Sequence, residues 1–78
     1  MPRVAMDDMV RLNDNGLRQI YGTTVGLAHM KTLEMKVTWV DSKSLTAPEK
    51  THQVEVDSQD INNFLIDDRC FDVVRKGK

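Results

Sequence analysis

Residues 63 to 74 read NFLIDDRCFDVV, and this stretch decides the fold. A short apolar run, Phe64, Leu65 and Ile66, is broken by two acids, Asp67 and Asp68. Arg69 and Cys70 then lead into a second run, Phe71, Val73 and Val74. Two stubs of strand joined by one tight polar turn predict the closing corner of a small, mostly β, five-stranded barrel. In this reading residues 64–66 are a strand, 67–70 a 3₁₀ turn and 71–74 the last strand.

Working outward, LEMKVTWVD at 33–41 is the strongest strand signal in the chain. Leu33, Met35, Val37 and Trp39 alternate with Glu34, Lys36 and Thr38, the period of a strand with one buried face. THQVEVD at 51–57 alternates in the same way, placing His52, Val54 and Val56 on one side. The two predict an antiparallel hairpin over 32–57, turned by the polar, Pro48-containing loop SKSLTAPEK at 42–50. At the other end of the chain, DMVRLNDNG at 8–16 opens as a short strand with Val10 and Leu12 inward. NDNG stops it, because Asn, Asp and Gly tolerate turn conformations.

GLRQIYG at 16–22 is the one helical piece, a short turn inside the long first loop. Asn13, Asp14 or Asn15 is its cap, Leu17, Ile20 and Tyr21 share a face, and Gly22 is its stop. TTVGLAH at 23–29 reads as an irregular loop. SQDINN at 58–63 is a connection: Ser58, Asp60 and Ile61 suit a single helical turn, but Asn62-Asn63 argues for a tight turn into the next strand. The expected core is Val10, Leu12, Leu33, Met35, Val37, Val54, Val56, Phe64, Ile66, Phe71 and Val73.

A chain of 78 residues makes one domain. The expected division is an N-terminal arm at 1–7, a barrel at 8–75 and a basic tail at 76–78. Apolar residues are 40% and charged residues 29%, too apolar a balance for intrinsic disorder. The lone cysteine, Cys70, points to a reducing, cytoplasmic setting. No run approaches the length of a membrane span, and Asp7 and Asp8 interrupt the N-terminus before a signal-peptide core can form. Formal charge is −1, which gives no bulk drive toward nucleic acid or membranes. The distribution is uneven: between Glu55 and Asp72 stand six acids and one base, Arg69.

DMVRLNDNG at the start and FLIDDRCFDVV at the end resemble the SH3-like small barrels, including the KOW-type domains. In those folds a V-x-L first strand precedes a long loop, and a 3₁₀ turn separates the last two strands. The chain is also similar to short phage and prophage proteins with such openings and closings. It departs from the barrel pattern at Asp7, where such domains often carry Gly. Tyr21 and Trp39 are its only candidates for the aromatic groove that holds proline-rich ligands. The resemblance implies a protein-binding or nucleic-acid-binding domain.

For catalysis, the chain offers Cys70 with His29 or His52 as its nucleophile and base. Cys70 beside Phe71 reads as a small core hydrophobe. Asp67 and Asp68 are consecutive, which suits a turn cap better than an acid–base pair. CxxC, HxxxH and DxDxDG are all absent, so beyond His52 with Asp67 or Asp68 no metal set presents itself. TTVG and NDNG are too short for a phosphate loop. No enzyme activity, metal or cofactor is expected.

Contact is the remaining role. Val25, Leu27 and Met30 are expected apolar anchors, with Asp67, Asp68 and Arg69 as a charged rim for a basic partner. The rival placement folds Leu27 and Met30 over the open barrel end. The expected function is a small non-catalytic protein-interaction module, a phage-type accessory protein that binds or inhibits a host protein such as a nucleic-acid enzyme. The alternative is a KOW-type nucleic-acid-binding barrel using Arg11, Arg18, Lys31 and Lys36. Membrane contact is not expected, and oligomeric state is left open.

Overall fold

The structure, a computed structural model, describes residues 3–41, 51–64 and 66–77. Strands β1 (Met9–Leu12), β2 (Met35–Val40), β3 (Val54–Val56) and β4 (Phe71–Arg75) form one antiparallel sheet in the order β3-β2-β1-β4. Helix α1 (Asp14–Tyr21) and a 3₁₀ turn (Ala28–Thr32) lie between β1 and β2. Helix α2 (Gln59–Asn62) and a second 3₁₀ turn (Asp68–Cys70) lie between β3 and β4.

The five-stranded SH3-like barrel is therefore corrected to an open four-stranded sheet with two helices. The expected strand at 64–66 is what fails to form. The Phe64 N–H donates to the Ile61 carbonyl at 3.1 Å, which ties Phe64 to the end of α2 and withholds that donor from a ladder. What reaches the sheet is one isolated bridge, Gln53 to Asp67, and the Val54 N–H bonded to the Ile66 carbonyl at 3.2 Å. Leu65 and the expected hairpin loop at 42–50 lie outside the described residues.

Local sequence explains the elements that do form. Asn13, in extended backbone, caps α1 by accepting the Gly16 N–H at 2.9 Å. Gly22 ends the helix in the left-handed region at φ 79°, where its N–H reaches the Arg18 carbonyl. Asp67 caps the second 3₁₀ turn by accepting the Arg69 N–H at 2.9 Å. Asp7, the departure from the barrel pattern, adopts φ 74°, a region that Asp tolerates better than most side chains.

β2 does not keep one phase. Val37 pairs with Val56 and Trp39 with Glu55, so Thr38 is an extra residue and the strand bulges there. Trp39, expected on the buried face, is exposed, and Val40 packs against the core instead. The core holds Val10, Leu12, Met35, Val37, Val54, Val56, Ile66 and Phe71, as the alternation predicts. Leu33, Phe64 and Val73 are corrected to exposed positions: Leu33 precedes β2, Phe64 ends the α2 turn, and Val73 lies on an edge strand. Val4, Leu17, Ile61 and Cys70 join the core. Val4 comes from the expected N-terminal arm, and Lys76 and Gly77 of the tail both bond Asp8, so the described parts of arm and tail are held to the domain.

Candidate functional site

Asp67 and Asp68 are both buried and their carboxylates serve the fold. Asp67 caps the 3₁₀ turn, pairs with the Arg69 guanidinium at 3.2 Å and accepts the Cys70 thiol at 3.8 Å. Asp68 accepts the Arg3 N–H at 3.0 Å and the His52 N–H at 3.3 Å, joining the N-terminal arm to the segment before β3. Of the three expected apolar anchors, Val25 is 84% exposed, whereas Leu27 and Met30 are half-buried against the core. The first 3₁₀ turn packs on β1 and the second on α1.

Cys70 is fully buried, and burial pushes its thiol up to about 11, with the neighbouring Asp67 carboxylate adding to the rise. A thiol of that kind is protonated at neutral pH and a poor nucleophile. The His52 ring is also taken up locally, its Nδ1 lying 2.9 Å from the Asp41 carbonyl. Among the described residues no cluster of three His, Cys, Asp or Glu could hold a metal ion. No helix among them is long and apolar enough to cross a membrane.

The feature that can grip a partner is a groove of about 400 Å³ where five elements converge. Leu12 of β1, Met35 of β2 and Ile61 of α2 line it as buried side chains, and Met30 of the first 3₁₀ turn is half-buried among them. Tyr21 at the end of α1 and Leu33 before β2 stand at its margin, 42% and 52% exposed. Phe64 leans on the Tyr21 ring with centroids 6.3 Å apart and extends the apolar surface.

Among the described residues, the charged ones lining this groove are Glu34, Asp57 and Asp60, with no Lys or Arg. Asp57 is held in place because its Oδ1 accepts the Lys36 N–H at 3.0 Å. Asp60 sits in the first turn of α2. Glu34 meets Arg11 and Arg75 at 3.4 Å each, two exposed pairs that bind it weakly.

Of the expected site residues, only Met30 lines this groove. Leu33, Glu34, Phe64, Asp57 and Asp60 are the residues that sequence reasoning missed, and Tyr21 was offered only for an aromatic groove with Trp39, which does not line this one. The alternation rule assigned Leu33 and Phe64 to the core, and their exposure depends on where a strand begins or fails. The excess of acids from Glu55 onward was the available signal for Asp57 and Asp60. The chain matches no protein-family model, no curated protein and no solved structure, so its family is not shown and the site stands on its own geometry.

Proposed function

We propose that this protein is a small interaction module whose groove takes an apolar side chain from a partner segment that also carries Lys or Arg. The observation that carries this reading is an apolar floor whose described lining holds three acids and no base, Arg11 and Arg75 reaching only the outer side of Glu34 in exposed pairs. Apolar contact at the centre supplies binding energy, and complementary charge at the rim supplies orientation and selectivity. Inhibition of a nucleic-acid enzyme fits the same chemistry, because such enzymes present basic surfaces to their substrates and an acidic module competes for them.

The first-half bases give the nucleic-acid alternative less support. Lys31 pairs with Asp14 at 2.7 Å, Lys36 with Asp7 at 3.5 Å and Arg11 with Glu34, so three of the four stand beside acids that repel phosphate.

The test is an NMR titration with two synthetic peptides, one aromatic residue flanked by lysines and the same residue flanked by glutamates. The lysine peptide is expected to shift the amides of Tyr21, Leu33 and Asp60, and Asp60→Lys to weaken that response. Equal shifts from the glutamate peptide, or none from either, would overturn the proposal. Duplex DNA and RNA at low salt form the comparison arm, and salt-sensitive binding there would favour the alternative.

A further inference from the structure

The two edges of the sheet are treated differently. At β3, the Asn62 side chain accepts the Val56 N–H at 2.9 Å and donates to the Val56 carbonyl at 2.6 Å. The Ile66 carbonyl takes the Val54 N–H, and the Gln53–Asp67 bridge continues the cover. β3 is thus closed by its own chain. β4 is the other edge, paired on one side with β1, and among the described residues its outer side has no comparable cover.

We infer that β4 pairs with β4 of a second copy of this chain, antiparallel and centred between Val73 and Val74. An uncovered edge presents a row of backbone donors and acceptors that a further strand can satisfy. The sequence Asp72-Val73-Val74-Arg75 is complementary to itself when reversed. In this register Asp72 of each copy faces Arg75 of the other, and Val73 faces Val74.

The faces also agree. In a regular strand residues 72 and 75 would point to opposite sides. Here Asp72 lies opposite Arg11 and Arg75 opposite Met9, two residues apart on β1, because Val74 is an extra residue in a bulge. The bulge therefore brings Asp72 and Arg75 to one face, where both ion pairs of a two-fold interface can form. Val73 and Val74, 36% and 39% exposed, lose water on pairing. Among the described residues of one copy, their charged neighbours hold only long contacts, Asn13 to Asp72 and Arg75 to Glu34, both 3.4 Å.

A ladder this short, bent by the bulge, makes a weak dimer that depends on concentration. Sedimentation of the full chain from micromolar to millimolar concentration is expected to show reversible dimerisation. A monomer throughout would overturn the inference. Asp72→Lys sets Lys against Arg75 and Arg75→Glu sets Glu against Asp72, so each variant alone is expected to dimerise roughly tenfold more weakly. Mixed, the two are complementary at both pairs and are expected to form a heterodimer of wild-type strength. A mixture no tighter than either variant alone would overturn the register. Where either variant is poorly folded by circular dichroism, Asp72→Asn and Arg75→Gln replace it; each is expected to weaken the dimer, and wild-type strength in both would overturn the ion pairs.

Discussion

The Asp8 carboxylate is almost wholly buried and accepts three bonds from the segments that flank the sheet on either side in the chain. Its donors are the Ala5 N–H at 3.0 Å, the Gly77 N–H at 2.9 Å and the Lys76 ammonium at 3.3 Å. Burial alone would raise its pKa, but these donors outweigh burial and hold it below the usual carboxylate value. A folded value below the unfolded one means the contribution to stability is complete above the unfolded pKa, about 3.9. It is lost as pH falls from there through the folded value. Asp8→Asn keeps the shape and removes the charge, so it is expected to cost about 2 kcal/mol at neutral pH. Denaturant melts at falling pH check this: the gap between variant and wild type should narrow below about pH 4. A gap that stays constant would show that the charge is not what matters.

At the scale of elements, Asn13 ties α1 to the second 3₁₀ turn through three bonds. It caps α1 through its Oδ1, its Nδ2 donates to the Arg69 carbonyl at 2.9 Å, and its N–H donates to the Cys70 carbonyl at 3.0 Å. Asp is ordinarily as good an N-cap as Asn. Here Asn13→Asp keeps the cap but turns a carboxylate oxygen toward the Arg69 carbonyl and toward Asp72. It is expected to destabilise by roughly 1–3 kcal/mol, about as much as Asn13→Ala, where a plain cap would leave Asp neutral. Thermal melts of the two variants check this, and a wild-type melting temperature for the Asp variant would refute it. The cap and stop of α1 were legible in the sequence because they depend on neighbouring residues alone. So were the inward faces of β1 and β3, and the 3₁₀ turn that Asp67 caps. The bulge that turns Trp39 outward, the capture of Phe64 by α2 and the open β4 edge depend on partners distant in the chain, which no local period reports. The groove was hidden for the same reason, since Tyr21, Leu33 and Asp60 meet only once five elements have packed.

For the whole molecule, the decisive quantity is how little core a chain of this length can afford to lose. A domain under about 80 residues rests on roughly 3–5 kcal/mol. One core side chain is then a large part of the total. Val4 is such a side chain: it is 1% exposed and belongs to the core cluster, although the sequence places it in an arm outside the domain. The arm is held from both flanks, by the Arg3 N–H on Asp68 and the Ala5 N–H on Asp8, so Val4 has no freedom to swing out and spare the core a cavity. Val4→Ala is expected to cost about 2 kcal/mol, from the lost transfer of two methyl groups and the void they leave. At about 4–8 °C per kcal/mol for a domain of this size, the melting temperature should fall by roughly 10 °C. Val25→Ala, at an exposed valine of the first loop, is the matched control and should leave the melting temperature nearly unchanged. If the two substitutions behave alike, the arm does not contribute to the core, and the domain would have to begin at β1.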